Sequence, residues 1–152
     1  KTALKIRRGY PLSCFEQTVK ELQKRNIPVI VHIILGLPGE STKEVLETIE
    51  YLNALGIQGI KLQLLHILKD TDLAKELPTL SLLSEEEYIA LLLQCIAHLS
   101  PDIVIHRLTG DGPKELLLAP LWSLHKRHVL NRIAHQLKEE QVYQGMDYQK
   151  KK

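Results

Sequence analysis

The chain is poor in several residue types that would point to a particular class of protein. Its 152 residues include two cysteines, one methionine, one tryptophan and one phenylalanine, and aromatic residues make up 5%. Cys14 and Cys95 lie far apart and each falls within a predicted helix, so the sequence suggests neither a disulfide framework nor a CxxC metal pair. No apolar run approaches the roughly 18 residues of a membrane-spanning helix, and the N-terminal segment lacks the apolar core of a signal peptide. We therefore expect a cytoplasmic protein with no membrane partner.

Leucine, isoleucine, valine and alanine dominate the apolar residues, which make up 44% of the chain. With so few aromatics, this composition suits helices packed on a strand layer better than a β-sandwich, and the length suits one domain. The net charge of +2 is too small to imply nucleic-acid binding, although residues 1–120 sum to −2 and residues 121–152 to +4. We expect a domain in residues 1–141 and a polar tail in residues 142–152.

Three short apolar runs predict parallel strands. Val29–Leu35 is rich in β-branched residues and apolar on both faces, as in a strand covered by helices on one side and by a barrel interior on the other. The second and third predicted strands are Ile60–Leu65 and Ile103–Arg107. A long polar loop over His66–Leu83, with a helical turn at Leu73–Glu76, follows the second strand.

Capping boxes, in which a serine is followed three residues later by a glutamate, mark the predicted starts of three helices. The pairs are Ser13 with Glu16, Ser41 with Glu44, and Ser84 with Glu87. The first helix is predicted over Cys14–Arg25, and Gly56 ends the second. A last helix, without a capping box, is predicted over Ser123–Gln141.

Helices and strands alternate along the chain, which predicts right-handed βαβ units and a parallel sheet. Three strands cannot close a barrel of about eight. We therefore predict an α/β fold that is a fragment of a partial TIM-type (βα) barrel. The absence of an initiator methionine agrees with a truncated chain. An open parallel edge favours either a missing part of the barrel or a homodimer.

Ligands of parallel α/β folds bind at the carboxyl ends of the strands, which here carry the sequences GLPGES, HILKDTD and LTGDGPK. The first sequence places backbone N–H groups before a helix N-terminus, where an anionic or polar ligand can bind. A turn with nothing bound is an equal alternative. The sequence is not a P-loop, because it lacks GxxxxGK[ST].

Three histidines fall on or at the ends of different predicted strands. His32, His66 and His106 make a metal site conceivable, but their spacing does not support one, and hydrogen bonding to backbone or ligand hydroxyls is the simpler interpretation. Asp111 is a candidate general base in a mobile loop, although Gly-Asp-Gly-Pro is first of all a tight turn. We predict no metal site in this chain.

The last predicted helix carries a basic face. His125, His128, Arg132 and His135 recur at helical spacing and are candidates for binding RNA or phosphates. A solvated outer face of a barrel helix explains the same pattern.

Five segments occur in an order that resembles a known family. They are Arg7-Arg8-Gly9, the run from His32 to Glu40, Leu64-Leu65-His66, the run from His106 to Lys114, and Ala119-Pro120-Leu121-Trp122. Together they resemble the C-terminal half of a radical S-adenosylmethionine protein. The most similar group contains bacterial proteins of unassigned reaction related to the elongator catalytic subunit and, more remotely, to oxygen-independent coproporphyrinogen oxidase.

The resemblance implies a partial (βα)6 barrel that binds S-adenosylmethionine and a [4Fe–4S] cluster. In the family a CxxxCxxC motif holds the cluster, which cleaves S-adenosylmethionine to a radical. This chain has no CxxxCxxC, so it would correspond to the later strands, and the N-terminal half of the barrel would be its missing partner.

The resemblance also implies roles for individual residues. Arg8 would pair with the methionyl carboxylate of S-adenosylmethionine, and His32 would take the place of an Asp that binds the ribose hydroxyls. The loop formed by Gly36, Leu37, Pro38 and Gly39 would line the cofactor cleft, and His66 would pack near the adenine. Arg107, Thr109 and Asp111 would lie on the substrate side.

Two functions therefore compete. The first is a fragment of a radical S-adenosylmethionine enzyme that contributes part of the cofactor and substrate cleft and is inactive alone. The second is a non-catalytic α/β module that binds RNA or a protein through its basic C-terminal helix.

Overall fold

The computed structural model describes residues 2–110 and 112–149. Its strands are β1 Ile30–Leu35, β2 Gly59–Leu64, β3 Ile67–Leu68, β4 Val104–Arg107 and β5 Leu117–Ala119. Its α-helices are α1 Thr2–Lys5, α2 Leu12–Lys24, α3 Thr42–Leu55, α4 Asp72–Glu76, α5 Glu85–His98 and α6 Lys126–Glu139. Short 3₁₀ helices lie at Leu77–Thr79, Lys114–Leu116 and Leu121–Leu124.

The central sheet contains β1, β2 and β4 in that spatial order, and both pairs are parallel. The three predicted strands and the α/β class are therefore confirmed, with strand ends shifted by about one residue. No closed barrel is present in the part of the chain that the structure describes. The short antiparallel pair of β3 and β5 is not predicted: β3 lies in the predicted loop His66–Leu83, and β5 lies where the sequence predicts no element.

Two of the three predicted capping boxes are confirmed. The Ser41 N–H donates to the Glu44 carboxylate at 2.8 Å, and Ser84 and Glu87 make the same pairing at the start of α5. Each box satisfies backbone N–H groups that have no partner in the first helical turn. Gly56 ends α3 with a positive φ of 68°, as a C-cap glycine does.

The predicted box of Ser13 and Glu16 is wrong. Helix α2 begins at Leu12 behind Pro11, whose missing N–H costs nothing at a helix start. The Glu16 carboxylate instead accepts a hydrogen bond from the Tyr51 hydroxyl at 2.9 Å, which joins α2 to α3.

The predicted start of the last helix at Ser123 is also wrong. A 3₁₀ helix occupies Leu121–Leu124, and α6 begins only at Lys126, because His125 has a non-helical ψ of 51°. The indole N–H of Trp122 donates to the Leu83 carbonyl at 3.2 Å and fixes this turn against the loop before α5.

The core lies on one face of the central sheet. Alternate residues of β2, namely Ile60, Leu62 and Leu64, are buried, and they pack with the apolar sides of α3 and α5. The other face is not covered: Ile30 and Ile34 of β1 are 43% and 40% exposed, and Val104 of β4 is 59% exposed. We call this second side the open face; it consists of Ile30, His32, Ile34, Gly59, Lys61, Gln63, Val104, His106 and, because the pairing of β2 with β4 shifts, Arg107.

The residues after α6 pack back onto α5. The Asp147 N–H donates to the Ala97 carbonyl at 2.8 Å, and the Gln144 amide donates to the Ser100 and Ile103 carbonyls at 2.7 Å. The proposed division of the chain at residue 141 stays a prediction. No helix among the described residues is long and apolar enough to cross a membrane.

Asn53 provides a test of how α3 is tied to the end of α5. Its side-chain amide donates to the His98 carbonyl and accepts from the Ser100 N–H, both at 2.9 Å. Replacing Asn53 by Ala leaves these half-buried groups without that partner, so we expect the free energy of unfolding to fall by about 1–3 kcal/mol. Urea denaturation measures this change. Gln17→Ala, an amide lost from the exposed side of α2, should change it by less than about 0.5 kcal/mol; equal effects of the two substitutions would contradict the role of Asn53.

Candidate functional site

A tight turn at the carboxyl end of β1 carries the predicted cofactor loop. Gly36 and Gly39 both have a positive φ, of 84° and 82°, which side chains rarely adopt. A Cβ at Gly36 would lie 3.0 Å from the Leu83 side chain, so a larger residue would be crowded there as well as strained. The turn leads directly into α3, as the sequence predicts.

The structure brings three of the predicted cofactor residues together. Arg8, His32 and Leu37 line one cavity of about 270 Å³ beside β1, and Glu40 lines it with them. We call this the first cavity. Burial raises the pKa of the Glu40 carboxyl. The cavity thus combines cationic and acidic side chains with apolar walls, as a binding site for a polar small molecule does.

Arg8 is held by its neighbour Tyr10. Its Nε donates to the Tyr10 carbonyl at 3.2 Å, and its guanidinium carbon lies 5.2 Å from the centre of the Tyr10 ring. A cation over an aromatic face at this distance is attracted by the ring. The guanidinium at the first cavity is therefore oriented by local contacts that leave part of its fork for a ligand.

A second cavity of about 310 Å³ adjoins the first. Leu37 and Pro38 line it together with Ile34, and Ile34 and Leu37 also line the first cavity. An ion pair between Arg7 and Asp72 connects the segment after α1 to α4 at this cavity. The positive charges and hydrogen bonds of Lys75 and Arg7 lower the pKa of Asp72. The loop from Gly36 to Gly39 therefore lies between two adjoining cavities.

The structure places His66 elsewhere. A Cβ on Gly110 would lie 2.5 Å from the His66 ring, and one on Gly112 would lie 2.8 Å from it, so these glycines make room for the imidazole. His66 thus belongs with the loop after β4, where Thr109 is buried, and it lines neither cavity. Asp111 lies outside the described residues. The predicted roles of His66, Thr109, Asp111 and Arg107 stay predictions.

Basic side chains form a row across the open face of the sheet. His32 of β1 pairs in register with Lys61 of β2, and Lys61 pairs with Arg107 of β4. Partial desolvation lowers the pKa of His32, the charges of Lys61 and Arg107 lower it further, and a hydrogen bond with Gln63 opposes the shift. We call His32, Lys61 and Arg107 the cationic row.

Sequence reasoning missed Lys61 and Gln63. Both lie in the middle of a strand whose other residues are apolar, and their spacing of two puts them on the same face. A polar residue at every second position of a buried strand was the signal that they face a different environment.

Cluster ligands do not fit this chain. Cys14 is exposed on α2, whereas Cys95 is buried in α5, where desolvation raises its thiol pKa to about 12. Within residues 2–110 and 112–149, no three His, Cys, Asp or Glu side chains are grouped so that they would hold a metal ion. An iron–sulfur cluster would need thiolates from another part of a protein.

The basic side of α6 makes ion pairs within the chain. Arg132 contacts the carboxylates of Glu85 and Glu86 at 3.0 Å each, and His128 lies 3.6 Å from Glu85. These pairs join α6 to the start of α5. Two of the four residues proposed for RNA binding therefore have a structural role, and the interpretation of this helix as the functional surface is not favoured.

Comparison with known proteins identifies relatives along the whole chain. YtqA of Bacillus subtilis (strain 168) is 40% identical over 152 residues, which cover 99% of this chain and 47% of YtqA. MJ0486 of Methanocaldococcus jannaschii is 36% identical over 95% of this chain and 46% of its own length. YhcC of Escherichia coli (strain K12) is 37% identical over 80% of this chain and 40% of its own length. The chain thus spans less than half the length of these relatives.

Among solved structures, Elp3 of the archaeon Methanocaldococcus infernus matches with a TM-score of 0.79. The match covers 94% of this chain and 34% of that one, at 12% identity, so it shows a shared fold. The model of the Radical_SAM C-terminal domain family matches residues 57–139. The chain therefore belongs to the Radical_SAM C-terminal domain family and has the fold of the C-terminal half of a radical S-adenosylmethionine protein.

Proposed function

We propose that this chain forms one wall of the cofactor and substrate cleft of a radical S-adenosylmethionine enzyme. The observation that carries the proposal is the joint presence of Arg8 and His32 in the first cavity, at the carboxyl end of a parallel strand. In this role the Arg8 guanidinium binds the methionyl carboxylate with charge-assisted hydrogen bonds, and the His32 imidazole binds the ribose hydroxyls.

The size of the cavity supports a shared cleft. Pockets that enclose a small molecule have volumes of roughly 300–1,000 Å³. The first cavity, at about 270 Å³, lies below that range, and it is bordered by the open face of the sheet. We propose that a second part of the enzyme covers this face and completes the site.

The partner that we propose for the open face is the N-terminal half of the barrel. β1 is an edge strand of the central sheet, and its outward N–H and C=O groups suit pairing with a further parallel strand. The relatives match this chain over 47% or less of their own length, so the rest of their sequence is long enough to form such a half. A second copy of this chain at the same edge is the alternative partner.

The missing half would also supply the iron–sulfur cluster. In such enzymes the cluster, when present, reductively cleaves S-adenosylmethionine to a radical that activates the substrate. This chain has only Cys14 and Cys95 and no CxxxCxxC motif, so its own residues position the cofactor and substrate and leave the cleavage to the other half. The two free thiols agree with a cytoplasmic location.

Replacing Arg8 by Ala tests the cofactor site. In the longer, cluster-loaded protein to which we assign this chain, we expect the Kd for S-adenosylmethionine to rise about tenfold or more, because a charged hydrogen bond contributes about 1.5–3 kcal/mol. Titration calorimetry under anaerobic conditions measures the change. Arg127→Ala, which removes a guanidinium from the exposed side of α6, should leave the Kd unchanged. An unaltered Kd for Arg8→Ala would contradict the carboxylate role.

A second experiment tests the division of labour between the two halves. With S-adenosylmethionine, iron, sulfide and dithionite, the 152-residue chain alone should form no 5′-deoxyadenosine, because it lacks the thiolates that hold a cluster. The same chain mixed with a reconstituted CxxxCxxC-containing half should form it. Chromatography of the quenched reaction gives both readings. Product from the chain alone, or none from the mixture, would refute the proposed division.

A further inference from the structure

We infer that the cationic row binds an anionic group of the substrate, a carboxylate or a phosphate, through Lys61 and Arg107, with His32 at the end of the row that lines the first cavity. As a substrate site the row rests on the proposed function, since the open face is then the inner wall of the cleft. As an anion site it rests on the geometry of the three strands alone.

The strand register brings the three side chains together. Lys61 lies on the central strand, directly between His32 and Arg107 on the two neighbouring strands. Adjacent strands are about 4.8 Å apart, so all three bases lie within reach of one small anion. The charges of Lys61 and Arg107 both lower the pKa of His32, an effect that an anion bound beside the row opposes.

Lys61 is the residue that most needs a counterion. It is half-buried, and it takes part in none of the ion pairs formed among the described residues. The strands β1, β2 and β4 contain no aspartate or glutamate at all. Glu40 lines the first cavity with His32, whereas neither Lys61 nor Arg107 lines that cavity.

An irregularity in the sheet adds Arg107 to the row. The pairing of β2 with β4 shifts between Ile60 and Lys61, so that Arg107 pairs with Lys61 and His106 has no register partner on β2. Such bulges often redirect a side chain next to a functional site. The His106 ring occupies the space over Gly59, where a Cβ would lie only 2.6 Å from its Nε2.

The surroundings of the row are those of a ligand site. Exposed apolar residues, Ile30, Ile34 and Val104, surround the charges on the same face. A few placed polar groups within apolar walls fix a ligand's orientation. A guanidinium fork and an ammonium group together match the oxygens of a carboxylate or a phosphate.

Anion titrations of the 152-residue protein, followed by NMR, test the inference. Inorganic phosphate and acetate are added in separate series at constant ionic strength, and the ring signals of His32 and the side-chain signals of Lys61 are observed. We expect saturable shifts and a rise in the pKa of His32, because an adjacent anion stabilises the imidazolium. Saturation by phosphate alone, by acetate alone or by both identifies which anionic group the site accepts.

Two lysine variants make the experiment specific. Lys61→Met should weaken the anion affinity several-fold, because it removes the ammonium group. The fold should be retained, because methionine keeps the length of the side chain. Lys43→Met, on the exposed side of α3 where Lys43 pairs with Glu47, should leave the affinity unchanged. The inference is overturned if neither anion gives saturable shifts, or if both variants lose affinity equally.

The outcome is separable from that of the proposed function. Arg8→Ala tests the proposed function through the Kd for S-adenosylmethionine in the longer protein, whereas Lys61→Met tests the cationic row through the anion titration of the 152-residue protein. If Arg8→Ala loses S-adenosylmethionine affinity as expected but the 152-residue protein binds neither anion, the anion site is refuted and the proposed function stands. If the 152-residue protein binds an anion but Arg8→Ala leaves the S-adenosylmethionine affinity unaltered, the anion site stands and the carboxylate role of Arg8 is refuted.

Discussion

The structure depends on the two-sided character of its central strand. In β2, Ile60, Leu62 and Leu64 face the helices and are almost fully buried, while Lys61 and Gln63 face the other way. Because side chains alternate along a strand, a one-residue slip would put Lys61 into the core and Ile60 on the open face. The same alternation therefore fixes the register of the sheet, the place of the core and the polar character of the second face.

Much of the fold is predictable from short-range signals. The capping boxes at Ser41 and Ser84 predict the starts of α3 and α5, because each is a local exchange of hydrogen bonds within one turn. The capping box predicted at Ser13 does not form, because α2 already begins after Pro11. The Glu16 carboxylate instead accepts a hydrogen bond from the Tyr51 hydroxyl, which is distant in sequence. Strands β3 and β5 pair although they lie about 50 residues apart in the sequence, so no local sequence pattern predicts their pairing.

The candidate site is predictable only in part, for a related reason. The rule that ligands bind at the carboxyl ends of parallel strands indicates the loop after β1, whereas the roles of Arg8 and His32 come from the family resemblance; the first cavity contains both residues and Leu37 of that loop. His66 also follows a strand end, yet its ring lies between Gly110 and Gly112, because the loop after β4 has glycines where the imidazole needs space. Lys61 was missed because its importance comes from neighbours on two other strands, which only the register reveals.

The central claim is that the edge of β1 and the open face are completed by the other half of a longer protein. Hydrogen exchange at the outward-pointing amides of Ile30–Leu35 tests it most directly, with the amides of α6 as an internal reference. We predict rapid exchange of these β1 amides in the 152-residue chain and strong protection in the longer protein, with α6 unchanged. Equally rapid exchange in both proteins would contradict the claim.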